Sequence, residues 1–155
     1  GTVTGVQTWC SSDLETIKEP EMLADLMHKL NEQTTAEGTT FQAVLSESGV
    51  LEVVCSNNDE FSIHLVETDT QLLAVTQLFK VSDVKPDKVA ALNVEMLQMS
   101  PAVPLSSVGL QGDMYILFGA MALSTSVENI VHELEVQAEN TIEVLEEIQE
   151  QDLLV

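Results

Sequence analysis

The side chains that could do chemistry are few, and their spacing matches no known catalytic pattern. The chain has three histidines, His28, His64 and His132, and two cysteines, Cys10 and Cys55. The cysteines are far apart and lack the spacing of zinc sites, and no H-E-x-x-H motif, EF-hand loop or P-loop occurs. We therefore predict no catalytic residue, no metal site and no cofactor.

Charge is the anomaly of the composition. The 155 residues include 26 Asp and Glu but only 5 basic residues, all of them lysines, so the formal net charge is -21. Such a chain repels the phosphates of nucleic acids and the surface of anionic membranes. It also lacks arginine, the side chain that usually binds phosphate or carboxylate through two hydrogen bonds. The composition argues against nucleic-acid, nucleotide and direct membrane binding, and it favours a basic or cationic partner.

The length indicates a single domain. Residues 1–11 show no hydrophobic period and are interpreted as a flexible N-terminal segment, followed by one α+β domain over residues 12–152. The first residues lack the basic and apolar regions of a signal peptide, and the apolar stretch 110–123 is too short for a membrane span. We expect a soluble, cytoplasmic protein.

The hydrophobic periods predict the element order α-β-β-β-β-α-β-β-α. Helices are predicted from the capping box at residues 12–15 to Leu30, with an interruption at Pro20, then from Asp83 to Met99, and over residues 126–150. Strands are predicted at 41–46, 50–55, 61–67, 72–79, 104–108 and 114–123. Short links make successive strands antiparallel, so the expected fold is an antiparallel sheet of five or six strands flanked by helices. The alternative is that the fourth strand continues the hairpin before it.

The last predicted helix has an apolar side and an acidic side. The apolar positions recur at nearly heptad spacing, which is typical of a core stripe or of a dimer seam. They are Val127, Val131, Leu134, Ala138, Ile142, Leu145 and Ile148. The glutamates assigned to the other side are Glu128, Glu133, Glu135, Glu139, Glu143, Glu146, Glu147 and Glu150. Because no lysine follows Lys88, no ion pair offsets their repulsion. Three explanations of the acidic side remain open. It is a solvated face, it is a docking surface for a basic partner, or its acidity comes from the general composition of proteins in the source organism.

The candidate partner-binding residues combine this acidic side with flexible apolar side chains. They are Glu139, Glu143, Glu146, Glu147, Leu134, Leu145, Met96 and Met99. The glutamates would attract basic groups, and methionine suits adaptable binding surfaces. Packing in the core is the alternative for the leucines and methionines.

In element order and acidity, the chain resembles type III secretion chaperones. In those proteins a twisted antiparallel sheet is flanked by helices. They commonly form dimers and bind partner segments in extended form. The resemblance implies a homodimer and a protein partner, but it depends on no diagnostic motif.

The segments 62–66 and 112–121, together with the acidic last helix, resemble the YjfI-like bacterial family of unknown function. Members tend to be encoded near phage-shock-protein-A-like membrane-stress proteins. This resemblance implies a partner of that type and no enzymatic activity.

The sequence thus predicts a non-enzymatic cytoplasmic interaction protein, chaperone-like or regulatory, that binds a basic or amphipathic protein. The alternative is a small-molecule or cation-binding module, or an undetected enzyme, with its site between sheet and helices. A third hypothesis is a structural subunit whose acidity only reflects its source.

Overall fold

The computed structural model describes residues 21–155 and shows helices packed on an antiparallel sheet of six strands. The elements are α1 (Glu21–Asn31), β1 (Phe41–Leu45), β2 (Leu51–Cys55), β3 (Asn58–Glu67), β4 (Leu72–Lys80), α2 (Val89–Met99), β5 (Ser107–Gln111), β6 (Met114–Met121) and α3 (Val127–Glu150). The strand order in the sheet is β1-β2-β3-β4-β6-β5. The expected α+β class and element order are confirmed. The predicted flexible segment 1–11 and the capping box at 12–15 lie outside the described residues.

The hairpin of β5 and β6 differs from its sequence prediction. A turn was expected over residues 109–113, but the strand pairs extend to Gln111 opposite Met114, and only Gly112 and Asp113 lie in the turn. Gly112 has a φ of 64°, which a residue with a side chain rarely adopts. A glycine at the first turn position is the signature of a two-residue hairpin. The strand therefore runs over 107–111 and not over 104–108.

The three helices contribute to a core on one face of the sheet. Burial alternates along the strands, so that Leu51, Val53 and Cys55 face the helices while Glu52 and Val54 face away. One cluster of buried side chains joins α1, the strands β1 to β3 and the first half of α3. A second cluster joins α2, β6 and the last half of α3. Helix α3 therefore spans both halves of the core.

The apolar stripe of α3 packs against the sheet of its own chain. Leu134 and Ile148 are completely buried, and Leu145 is half-buried against the second cluster. The prediction that Ile142 belongs to the buried stripe is wrong, because its side chain is 38% exposed while that of Val144 is buried. A straight helix has 3.6 residues per turn, so a strict heptad stripe drifts away from the buried face along its length.

Gly119 in β6 marks a close contact between the sheet and its neighbours. A Cβ there would lie 3.2 Å from the carbonyl oxygen of Leu105 and 3.4 Å from Oε1 of Gln137. Gly119 pairs regularly with Ala74, and the irregularity in this strand pair lies between Gln77 and Phe79. The glycine thus lets the loop before β5 and helix α3 approach the sheet.

We expect Leu134→Ala to lower the free energy of unfolding by about 2–5 kcal/mol, because the substitution leaves a cavity in a fully buried site. Ile142→Ala is the matched control on the same helix and should cost well under half as much, since Ile142 is partly exposed. Urea unfolding followed by circular dichroism measures both. Equal losses for the two variants would contradict this placement of α3.

Candidate protein-binding groove

A groove with a volume of about 350 Å³ lies between α2 and α3. Its lining residues are Glu95, Gln98, Met99, Ala102, Val103, Glu143, Val144 and Glu147. The apolar side chains come from the end of α2, the segment after it and the buried side of α3. Carboxylates stand on both helical walls, Glu95 on α2 and Glu143 with Glu147 on α3. The groove is therefore apolar inside and acidic at its sides.

Buried amides hold the α3 wall in place. The Nδ2 amide of Asn140 donates to the carbonyl oxygen of Pro104 at 2.7 Å and to Oγ of Ser106 at 3.0 Å. These bonds tie α3 to the segment between α2 and β5. One turn earlier, Nε2 of Gln137 donates to the carbonyl oxygen of Ala74 at 3.1 Å and to Oγ1 of Thr76 at 3.0 Å. The sheet and this segment together fix the rotation of α3 about its own axis.

That rotation separates the acidic residues of α3 into two sets. Glu143 and Glu147 lie one and two turns after Asn140, on the side of α3 that faces α2, and they line the groove. Glu139 and Glu146 are exposed and are not among the lining residues. Only the first pair therefore stands beside an apolar surface.

The acidic walls of the groove have no neutralising lysine among the residues that line it. Two lysines of the described part form ion pairs elsewhere, Lys29 with Asp25 at 3.7 Å and Lys85 with Asp152 at 3.0 Å. A lysine or arginine side chain from another molecule could lay its aliphatic stem on the apolar floor and place its charge between the carboxylates. The groove is thus chemically suited to a basic, amphipathic segment.

The predicted site residues are distributed over three environments. Glu143, Glu147 and Met99 line the groove, whereas Glu139 and Glu146 lie on the solvent side of α3. Leu134 and Met96 are buried in the core, and Leu145 packs against it. Sequence reasoning did not include Glu95 and Gln98 in the site. Glu95 is the only charged residue within α2, and that isolation was the available signal.

Comparison with known proteins identifies the family of this chain. Residues 20–151 match the family described as "Uncharacterized protein conserved in bacteria (DUF2170)". The chain belongs to this family. It is 29% identical over 108 residues to "Uncharacterized protein YjfI" of Escherichia coli strain K12, covering 66% of this chain and 79% of that protein. The protein of the same name from Escherichia coli O157:H7 matches equally well. The expected resemblance to YjfI is confirmed.

A solved structure shares the fold of this family member. It is titled "Structure of the HopA1-SchA Chaperone-Effector Complex", and it aligns with a TM-score of 0.52 at 16% identity. The alignment covers 78% of this chain and 88% of the other. At this identity the likeness shows the fold alone. The expected chaperone-like architecture is confirmed.

Over residues 21–155, no group of three or more His, Cys, Asp or Glu side chains is placed to hold a metal ion. None of the helices in this range combines the length and apolarity needed to cross a bilayer.

Glu135 is a buried carboxylate that sequence reasoning placed on the solvent side of α3. Its Oε2 accepts hydrogen bonds from Oγ1 of Thr35 at 2.7 Å and Oγ1 of Thr39 at 2.6 Å, and its side chain is only 8% exposed. Both threonines lie in the α1–β1 loop, which folds over this side of α3. Buried carboxylates need such donors, and the threonine-rich sequence of the loop was the only signal.

Cys55 lies beside Glu135 in the same buried region. Its Sγ donates to the carbonyl oxygen of Leu134 at 3.9 Å. Burial, and to a smaller extent the nearby carboxylate of Glu135, raises the pKa of the thiol from its ordinary 9.0 to about 12. Cys55 is therefore a protonated core residue that packs as a small hydrophobic side chain.

We expect the Cys55 thiol to resist alkylation by iodoacetamide at pH 8 in the folded protein, because the reactive thiolate is scarce when the pKa is about 12. Mass spectrometry of the peptide that contains Cys55 measures the modification. The same reaction in denaturant is the control and should go to completion. Equal rates with and without denaturant would contradict the buried position.

The same shift sets a pH dependence of stability. Because the folded-state pKa exceeds the ordinary value, the contribution of the protonated thiol is present below pH 9.0 and is lost as the pH rises toward about 12. Cys55→Ala should remove this component from the pH profile of unfolding.

Proposed function

We propose that this protein is a non-enzymatic binding protein that holds a basic, amphipathic segment of a protein partner in the groove between α2 and α3. The observation that supports this proposal is the placement of Glu95, Glu143 and Glu147 around the apolar surface formed by Met99 and Val103. Burial of the apolar side of a partner helix or strand would supply the affinity, and the carboxylates would select its charge.

The fold supports a protein-binding role at a coarse level. The structural neighbour is a complex of a chaperone with an effector, which makes that protein a binder of another protein. We propose that the present chain also binds another protein. A chaperone-like or regulatory activity requires a docking surface and no reacting groups. A role without catalysis therefore suits a groove lined by carboxylates, amides and apolar groups.

The charge of the chain supports the choice of partner. With a net charge of -21, long-range attraction increases the rate of encounter with basic proteins and slows encounter with acidic ones. We place the protein in the cytoplasm, where such a partner would be met. A phage-shock-protein-A-like protein is the specific candidate that the resemblance to the YjfI-like family suggests.

The groove can be tested by comparing two pairs of glutamates on the same helix. Glu143→Gln with Glu147→Gln removes two charges from the groove, and Glu139→Gln with Glu146→Gln removes two from the solvent side. The net charge changes equally. We expect the groove pair to weaken binding of a lysine-rich amphipathic peptide about tenfold, since each lost ion pair contributes up to about 1 kcal/mol, and the control pair much less.

Fluorescence anisotropy of the labelled peptide at low salt measures the affinities, and a repeat near 1 M salt, where the Debye length is about 3 Å, should remove most of the difference. Equal weakening by both pairs would show that only the overall charge acts, and would refute the groove. Capture from a lysate of the source organism, followed by mass spectrometry, then identifies the natural partner. If a small organic cation but no basic protein binds, the protein is instead a small-molecule module.

A further inference from the structure

Three oxygen atoms converge beside Gly119, where the loop before β5 and helix α3 meet the sheet. A Cβ at this glycine would lie 3.2 Å from the carbonyl oxygen of Leu105. It would lie 3.4 Å from Oε1 of Gln137 and 3.5 Å from Oε1 of Glu133. A backbone carbonyl, a side-chain amide and a carboxylate therefore surround one point, and we call these three groups the oxygen cluster.

No hydrogen-bond donor from the described part of the chain serves the oxygen cluster. Gln137 is only 2% exposed, and its Nε2 donates to the carbonyl oxygen of Ala74 and to Oγ1 of Thr76. A backbone carbonyl can only accept, so this contact fixes the orientation of the amide and leaves Oε1 in the cluster without a donor. The carbonyl oxygen of Leu105 and the carboxylate of Glu133 likewise accept no hydrogen bond from any other described residue, and Glu133 has no ion pair there.

A second carboxylate on the same helix shows how the fold satisfies a buried acid. Glu135 accepts hydrogen bonds from two threonine hydroxyls. Glu133 has no such donors, although burial raises its pKa and only the neighbouring His132 lowers it. A carboxylate that is partly withdrawn from water beside two carbonyl oxygens is unfavourable unless a positive charge compensates it. The oxygen cluster therefore lacks a cationic component.

A strained loop contributes the backbone oxygen of the cluster. Leu105 has a φ of 63°, in the left-handed region that a leucine rarely adopts. The bonds of Asn140 to the carbonyl oxygen of Pro104 and to Oγ of Ser106 hold the loop on both sides of this residue. Backbone strain of this kind persists where the surrounding structure imposes it, and it is common at ligand sites.

We propose that the oxygen cluster binds a hard metal cation of the Ca²⁺ type. Ca²⁺ takes carboxylate, amide and backbone carbonyl oxygens together with water, at about 2.3–2.6 Å and in flexible geometry. The cation would lie beyond the Cβ position of Gly119, where the absence of a side chain leaves room. Glu133 is partly exposed, so water can reach the cluster and complete the coordination. A site of this kind needs only one acid.

The ligand set favours this ion over its competitors. Zinc prefers thiolate and imidazole ligands, and Mg²⁺ demands nearly ideal octahedral geometry and gives up its water reluctantly. A chain of net charge -21 attracts a divalent ion more strongly than a monovalent one. Because only one ligand is charged, we expect a Kd of about 10⁻⁴–10⁻³ M, the range of weak calcium modules.

The cation site does not depend on the proposed function, because none of its three groups lines the groove between α2 and α3. A bound cation would join the loop before β5 to α3. It would thereby restrain the segment whose Val103 lines the groove. Loss of cation binding and loss of peptide binding are separate measurements, so the two proposals can fail independently.

Thermal unfolding and ¹⁵N NMR of the full chain, freed of metal with a chelator, test the site. The salt is KCl at about 0.15 M, which screens weak association with the acidic surface. We expect CaCl₂ at about 10 mM, at least tenfold above the expected Kd, to raise the Tm by about 3 °C or more, and MgCl₂ to raise it less. The signals of the Gln137 side-chain amide and of the Ser106 N–H, which follows the Leu105 carbonyl, should shift and saturate together.

Glu133→Gln should abolish the response to Ca²⁺. The variant should still fold, because its amide can donate to the two carbonyl oxygens, and circular dichroism checks this. Glu139→Gln is the matched control, since it removes the same charge from the solvent side of α3 and should keep the response.

Equal responses of the two variants, or shifts that spread over the exposed glutamates without saturation, would show that Ca²⁺ only screens the surface, and would overturn the proposal. Absence of any response in the unmodified protein would also overturn it. In that case a proton on Glu133 serves the oxygen cluster in place of a metal.

Discussion

The arrangement of this protein depends on the amide hydrogen bonds that fix helix α3 on the sheet. Apolar contacts alone would let a helix rotate or slide, because they have no directional preference. The bonds of Gln137 to β4 and of Asn140 to the segment before β5 have fixed geometry, and an amide left unpaired in the core would cost about 1–3 kcal/mol. They select one rotation of α3. That rotation decides which glutamates face α2 and which face water.

The sequence predicted the elements well where a single period dominates. The β-prone run of β2 and the start of the last helix near residue 126 are local signals, and the structure agrees with them. The capping residue is Ser126, whose Oγ accepts from the N–H of Asn129 at 3.2 Å. The error at β5 arose because a two-residue turn at Gly112 competes with the longer turn suggested by Gly109. Both glycines are compatible with a turn, and only the pairing with β6 decides between them.

The candidate site could be predicted only in part, because its composition depends on contacts that are distant in sequence. The acidic character of α3 was evident, but Glu135, Glu139 and Glu143 are equivalent as sequence symbols. Their difference comes from the threonine hydroxyls of the α1–β1 loop, which cover Glu135, and from α2, which stands beside Glu143. No periodicity along α3 contains this information.

Helix α2 forms one wall of the proposed groove, where Glu95 and Met99 are among the lining residues. The other wall is α3, which the amide of Asn140 ties to the segment between α2 and β5. A groove whose walls are held in place before its partner arrives loses less conformational entropy on binding. The hydrogen bonds that select the rotation of α3 would therefore also contribute to the affinity of the proposed groove.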